Sequence, residues 1–330
     1  MRTPIIPQTP FARKSSWLRI GTASLLAIAM CPPALAQRNP SMPDAPPSNV
    51  ETGVSMDRVI GDASKAVTSI FEDAIMVRPI LTQGDPLQPA APGAVLRYRK
   101  RVSLGTMMPG EVSPLSRQDN QLVIYVKSGH GRVDDGQKQW DLRPGYAILI
   151  PPGVQHRLSD VGDDQLKMII MEEPTNPEVS AAKGILVRDT GKLLYVENDV
   201  HWSNMSKAPF ADVGERFLIV YMGPRSIAGP HAHNSETEEG WVKLTDAPAW
   251  LQIGSEIRPW KADMGMVVPP NSKTVHAAIN TSNQTQAWFY FARFPGDEAH
   301  QNEGKPQFKR SPAIAAAEVT ATVQPTPIPQ

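Results

Sequence analysis

A strand–turn–strand pattern occurs twice in the chain, in residues 145–160 and again in residues 264–280. Each copy has an apolar run that reaches a proline, a tight turn, and a second run that begins with histidine. Short β-branched and aromatic runs separated by Pro, Gly and Asp surround both copies. They are VLRYRKRVSL, QLVIYVKS, AILIPP, LKMIIMEE, RFLIVYMG, WVKL, AWLQIG, MVVPP and AWFYFARF. This spacing is typical of antiparallel sandwiches or barrels and not of βαβ units, so we predict an all-β protein with two similar halves.

The first copy resembles the second motif of the cupin superfamily, which is Gly, five residues, Pro-x-Gly, two residues, His, three residues and Asn. Residues 145–160 match every position except the last, where Asp160 replaces Asn. Residues 264–280 have a longer turn but keep His276 and Asn280. The resemblance implies two cupin-type (jelly-roll) β-barrels, one in each half.

Upstream of His276, the chain resembles the first cupin motif, which is His-x-His, three or four residues, Glu, six residues and Gly. His231 and His233 match the histidine pair, Glu238 follows after four residues, and Thr245 replaces the glycine. The resemblance implies that His231, His233, Glu238 and His276 bind one divalent transition metal ion. It also gives Glu238 a catalytic role, as a carboxylate that can leave the metal and carry a proton.

The sequence offers two adjacent carboxylates for this site, Glu238 and Glu239. We predict Glu238, because it lies three residues before the aromatic Trp241, a spacing that is usual in the family.

The donor types fit this interpretation on chemical grounds. His231 and His233 share one face of a strand, because alternate residues point the same way. Three imidazoles and a carboxylate suit Fe, Mn, Zn, Ni or Co without selecting among them. A histidine pair alone is equally typical of an exposed polar strand. The combination with a spaced glutamate and His276 is what predicts a metal site.

The first half aligns with the second without a gap at a spacing of 116 residues. At the predicted ligand positions, Leu115 then corresponds to His231, Arg117 to His233, and Leu122 to Glu238. The first barrel is therefore predicted to lack a metal site and to keep only His156, as a hydrogen-bonded structural histidine.

The N-terminal 36 residues have four basic residues and no acidic one, an apolar run, and Ala-Leu-Ala before Gln37. This pattern predicts a cleaved secretory signal and a periplasmic or secreted protein. The alternative is a membrane anchor, but the run is short for a bilayer span, so we expect no stable membrane insertion after cleavage.

Cleavage after residue 36 would remove the single cysteine, Cys31, and leave 29 basic against 33 acidic residues. A mildly acidic chain without cysteine has no electrostatic footprint for nucleic acid and no disulfides. The rest of the chain is divided by composition and apolar spacing. The predicted segments are a Pro-rich linker (37–55), a leading helix (56–80), cupin barrel 1 (81–175), cupin barrel 2 (176–300) and a disordered tail (301–330).

Two functions remain open from the sequence. The complete set of donors in the second half favours a metal-dependent enzyme acting on a small organic or carbohydrate-derived molecule, by oxygenase, decarboxylase, isomerase or lyase chemistry. The loss of donors in the first half favours a non-catalytic small-ligand-binding or structural protein of the cell envelope. Because cupins frequently dimerise, the resemblance also implies a possible homo-oligomer.

Overall fold

The computed structural model describes residues 55–174, 180–195, 204–233 and 237–293. Within these ranges the chain forms one short α-helix, α1 (Met56–Val59), three single 3-10 turns and 22 strands. The strands are β1 Ile60–Asp62, β2 Ser69–Phe71, β3 Ile75–Gln83, β4 Ala94–Leu96, β5 Arg101–Met107, β6 Ser116–Arg117, β7 Gln121–Ser128, β8 Gly131–Asp134, β9 Gln139–Leu142, β10 Tyr146–Ile150, β11 Gln155–Asp160, β12 Leu166–Glu173, β13 Leu186–Asp189, β14 Asn204–Lys207, β15 Phe217–Met222, β16 Ser226–Ile227, β17 Glu238–Lys243, β18 Ala249–Ile253, β19 Glu256–Trp260, β20 Met264–Val267, β21 His276–Asn280 and β22 Gln286–Arg293. The all-β prediction is confirmed. No helix among the described residues is long and apolar enough to cross a membrane.

Each half of the chain forms a barrel from one large sheet and one four-stranded sheet. In the first barrel the large sheet has the order β13-β10-β7-β12-β5-β3-β2, and the small sheet has the order β6-β11-β8-β9. In the second barrel the orders are β1-β20-β17-β22-β15-β14 and β16-β21-β18-β19. When the sheets are written in these orders, the strands of the two barrels correspond position by position, beginning with β13 and β1. The first barrel has two additional strands, β2 and β4.

The strand that precedes each half completes the large sheet of the other half. β1 precedes the first half but pairs with β20 of the second barrel, with Ile60 opposite Met266. β13 precedes the second half but pairs with β10 of the first barrel, with Arg188 opposite Ala147. The first barrel is therefore the continuous segment from β2 to β13, whereas the second barrel combines β1 with β14 to β22.

The predicted leading helix over residues 56–80 is wrong. The helix ends at Val59, and the remaining residues form β1, a 3-10 turn, β2 and the first part of β3. The apolar spacing is also compatible with short strands, and pairing with β20 and β5 decides between the two. Gly61 allows β1 to approach β3 closely, since a Cβ there would lie 1.6 Å from the carbonyl oxygen of Ile80.

The strand exchange also changes the predicted barrel boundaries. The first barrel begins with β2, before residue 81, and takes β13 from beyond residue 175. The predicted signal (1–36), the tail (301–330) and all of the linker except Ser55 lie outside the described residues.

The large sheets of the two barrels pack against each other. Val123 on β7 belongs to the same apolar cluster as Val242 on β17 of the other barrel. Its neighbour Ile124 instead joins a separate cluster with Leu158 of the small sheet, inside the first barrel. Alternation along the strand therefore sends one residue to the barrel interior and the next to the interface between barrels.

Candidate metal centre

Three histidines and one glutamate meet inside the second barrel. His276 begins β21 and exchanges backbone hydrogen bonds with His231, at 2.9 and 3.4 Å. The backbone carbonyl of His233 accepts a hydrogen bond from Ser272 at 2.8 Å, and Glu239 lies on β17. One donor atom from each of these four residues lies within 4.8 Å of the other three, an arrangement that could hold a metal ion.

The donor atoms are close together and almost fully enclosed. The Nε2 atom of His233 lies 2.6 Å from Oε2 of Glu239, and Nε2 of His276 lies 3.5 Å from Oε1 of the same carboxylate. His231 and His276 have ring centroids 4.3 Å apart. Among the three histidines of the centre His233 is the most exposed, with 13% of its side chain accessible, so the approach to the centre lies on its side.

Hydrogen bonds orient two of the four donors. Nδ1 of His231 lies 2.9 Å from the carbonyl oxygen of Gly229. Because a carbonyl only accepts, Nδ1 carries the proton and the Nε2 lone pair is available to a metal. The carboxylate of Glu239 accepts from Trp241 Nε1 at 2.7 Å and from the Tyr290 hydroxyl at 3.3 Å.

The electrostatics favour the metal-binding form at Glu239 and His276, whereas at His233 the effect of burial is outweighed by Glu239, which raises the pKa of that imidazole. Burial by itself would raise the pKa of Glu239, but the neighbouring His233 and His276 hold that pKa well below its ordinary value. Burial, together with the nearby His231, lowers the pKa of His276 to about 4. A metal ligand must be an ionised carboxylate or a neutral imidazole, and these two residues meet that condition at neutral pH. For Tyr290, burial and the Glu239 charge raise the pKa well above its ordinary value, which keeps it a neutral donor.

The predicted carboxylate, Glu238, does not lie in this centre. Trp241 points into the barrel, with its ring centroid 5.1 Å from that of His276. Residues separated by two positions on a strand share a face, whereas residues separated by three do not. Glu239 therefore points inward with Trp241, and Glu238 points out of the barrel. The spacing rule that selected Glu238 is overturned by this alternation.

Glu238 instead joins the two barrels. Its Oε2 accepts hydrogen bonds from the backbone nitrogens of Arg97 at 2.6 Å and Tyr98 at 3.0 Å, and its Oε1 pairs with Arg99 at 2.8 Å. Arg99 also pairs with Glu173 at 2.8 Å, and both carboxylates and the guanidinium are buried. The catalytic role predicted for Glu238 is not compatible with this position.

The ungapped alignment of the halves is also wrong at the ligand positions. His156 pairs with Ser116 in the first barrel as His276 pairs with His231 in the second. Ser116 and Gln118, and not the exposed Leu115 and Arg117, therefore stand at the positions of the two motif histidines. Leu122 is the inward-facing residue of β7 that corresponds to Glu239. The residue of β12 that lies opposite Leu122 occupies the same strand position as the residue of β22 that lies opposite Glu239.

A metal ion fits the second barrel and not the equivalent place in the first. The second barrel supplies three imidazoles and one carboxylate, which is a common mixed set for first-row transition metals. At the same strand positions the first barrel supplies serine, glutamine, leucine and one histidine.

Comparison with known proteins agrees with the fold. The family model for the cupin domain matches residues 103–172, which are β5 to β12 of the first barrel. This part of the first barrel is similar in sequence to the cupin domain. The predicted cupin resemblance and two-barrel architecture are confirmed.

Several known structures superpose on a large part of this fold. AerE from Microcystis aeruginosa superposes with a TM-score of 0.53 at 14% identity, over 71% of this chain and 97% of that one. Oxalate decarboxylase from Bacillus subtilis superposes with a TM-score of 0.52 at 12% identity, over 73% of this chain and 78% of the other. These identities establish the fold alone.

A curated relative is similar in sequence. "Polyketide synthase CurC" from Streptomyces cyaneus is 30% identical over 95 residues, which is 28% of this chain and 60% of the relative. The chain therefore spans less than two thirds of that relative's length.

Proposed function

We propose that the protein is a mononuclear metal-dependent enzyme that acts on a small organic molecule in its second barrel. The observation that carries the proposal is the convergence of His231, His233, Glu239 and His276 on one point in the barrel interior. Four protein donors leave coordination positions of a six-coordinate ion open for a substrate. When bound, a divalent transition ion supplies Lewis-acid or oxygen-binding chemistry there.

The residues around the donors have separable tasks. Trp241 and Tyr290 hold the Glu239 carboxylate by hydrogen bonds to its two oxygens. The rings of Trp241, Trp260 and Trp288 lie 5.4–5.9 Å apart and are buried, so they exclude water from one side of the centre. A dry wall strengthens electrostatic interactions between the centre and a charged or chelating substrate.

Metal content tests the site directly. The purified chain should contain about one transition metal ion per molecule by elemental analysis, and His276→Ala should lose it. His156→Ala is the matched control, because His156 holds the corresponding strand position in the first barrel. Equal metal content in both variants and the unmodified protein would place the metal elsewhere and reject the proposed site.

The alternative function is non-catalytic binding of a small ligand at the envelope. It is supported by the first barrel, in which the same strand positions lack the metal donors. Oxygen uptake and carbon dioxide release should be measured on the metal-loaded protein with catechols, flavonoids, thiols and dicarboxylates. Turnover that His276→Ala abolishes supports an enzyme. Saturable binding without turnover supports the alternative.

We also propose that the protein is exported, on the strength of residues 1–36 alone. The chain should be recovered from the periplasm or medium of its own host with Gln37 at its N-terminus. Recovery of the uncleaved chain in the cytoplasm would contradict export and leave the proposed chemistry unaffected.

A further inference from the structure

The first barrel has its own buried polar cluster at the place where the second barrel has its metal donors. It consists of His156, Ser116, Gln118 and a fourth residue, Glu72, which comes from the turn between β2 and β3. Nε2 of His156 lies 2.8 Å from Oε1 of Glu72, and Nε2 of Gln118 donates to the same oxygen at 3.0 Å.

The Glu72 carboxylate is held as a bound ligand would be. Its side chain and that of His156 are both fully buried. Nδ1 of His156 lies 2.9 Å from the carbonyl oxygen of Val154, so this nitrogen carries a proton. Burial by itself would lower the pKa of His156, but the hydrogen bond and charge of Glu72 raise it. The cluster is therefore a carboxylate bound by an imidazole that favours its cationic form and by an amide.

The cluster has more hydrogen-bonding capacity than Glu72 uses. Oε2 of Glu72 and Oγ of Ser116 are both buried, and neither has a hydrogen-bond partner among the described residues. A buried polar atom without a partner costs about 1–3 kcal/mol. The pocket is therefore not fitted to this glutamate as closely as a purely structural ion pair would be.

The hairpin that carries Glu72 lies at the edge of the first barrel. β2 is the edge strand of its sheet and pairs with β3. The side chain of Ile70 on β2 is 61% exposed. Glu72 and Asp73 have φ of 49° and 56°, a left-handed conformation that is unfavourable for residues other than glycine. Phe71 and Ala74 beside the turn pack against the core of the first barrel, so the pocket should keep its shape when Glu72 is replaced.

We propose that the first barrel is a binding site for small carboxylates, recognised by His156 and Gln118, and that Glu72 occupies this site as an internal ligand. The site is distinct from the metal centre and does not depend on the proposed function of the second barrel. A free monocarboxylate of the size of formate or acetate presents the same two oxygens as the glutamate head group.

Removal of the internal ligand tests the proposal. Formate or acetate should raise the melting temperature of Glu72→Ala progressively with concentration, by about 5 °C at roughly 100 times the dissociation constant. Chloride at equal ionic strength should not. Asp73→Ala is the matched control, because it alters the same turn at an exposed residue and leaves the pocket filled. It should show no carboxylate-specific shift.

The donors are tested by a second substitution. His156→Phe in the Glu72→Ala background should abolish the shift. If Glu72→Ala does not fold, Glu72→Gly is the replacement, since glycine tolerates the positive φ at this turn. Equal responses to carboxylate and chloride would overturn the proposal, as would a response that persists without His156. A second metal ion per chain that is lost in Glu72→Ala but kept in His276→Ala would also overturn it, in favour of a metal site.

Discussion

Glu238 and Glu239 are neighbours in the sequence, yet they serve different parts of the molecule. Glu239 meets three imidazoles inside the second barrel, and Glu238 meets Arg99 at the interface between barrels. The side chains of both are almost completely buried, so burial does not distinguish them. The distinction comes only from the alternation of side chains along β17.

The same substitution should therefore affect metal binding at one glutamate and folding stability at the other. Glu239→Gln should weaken metal binding by more than about 100-fold, because even a lost hydrogen-bonding partner of a ligand lowers affinity by 10–100-fold. Glu238→Gln should keep the metal but lower the free energy of unfolding by about 2 kcal/mol, since it weakens a buried charged interaction. Metal titration and urea unfolding of both variants check this. Loss of the metal in Glu238→Gln alone would restore the original prediction.

The free energy of unfolding should depend on pH through Glu215, which is buried at the interface between the barrels. Burial, with the nearby Glu173, raises its pKa well above the ordinary value, and Gln121 donates to it at 2.8 Å. The folded state therefore holds a proton that the unfolded state releases above pH ~4.3. This contribution to stability is complete below that pH and is lost as the pH rises through the folded-state pKa.

Glu215→Gln should remove this part of the pH dependence. The difference in unfolding free energy between the variant and the original chain should increase in favour of the variant as the pH rises above ~4.3. Urea unfolding at several pH values between 4 and 8 measures it. A difference that stays constant over that range would show that Glu215 does not hold the proton.

At the scale of the elements, β1 shows how a distant partner overrides local pattern. Residues 57–77 have apolar spacing that a helix could use, but the chain from Ile60 onward pairs as strands. Gly61 makes the close approach to Ile80 possible. The predicted helix failed because β1 is stabilised by the second barrel, some 200 residues away in the sequence.

Gly61→Ala should therefore be strongly destabilising, by about 3 kcal/mol or more, because the new Cβ would collide with backbone and not with a movable side chain. Gly184→Ala is the control, since nothing lies within 4 Å of the Cβ it would add. Its unfolding free energy should change by no more than about 0.5 kcal/mol. Similar midpoints for the two variants in urea unfolding would argue against the close packing of β1.

At the scale of the whole molecule, the barrels depend on each other. β1 precedes the first barrel in the chain but completes the large sheet of the second, and the cluster of Arg99, Glu173 and Glu238 is buried between the barrels. Separating the barrels would expose apolar strand faces and leave buried charges without partners.

The described barrels should consequently unfold in one transition. Differential scanning calorimetry should give a calorimetric enthalpy close to the van't Hoff enthalpy, as expected for a two-state process. Glu238→Ala removes a contact between barrels and should lower that single transition without splitting it. Two resolved transitions in the unsubstituted chain would show that the barrels are independent.

The sequence by itself determined the all-β class, the two barrels, and the three histidines that meet in the second one. These features follow from short-range patterns, such as strand-length apolar runs, a histidine pair on one strand face, and a repeated turn. The tertiary structure alone decided which carboxylate faces the histidines, where β1 pairs, and which residues of the first barrel occupy the equivalent site. Each depends on strand register between distant segments, and a one-residue change of register moves a side chain to the opposite face.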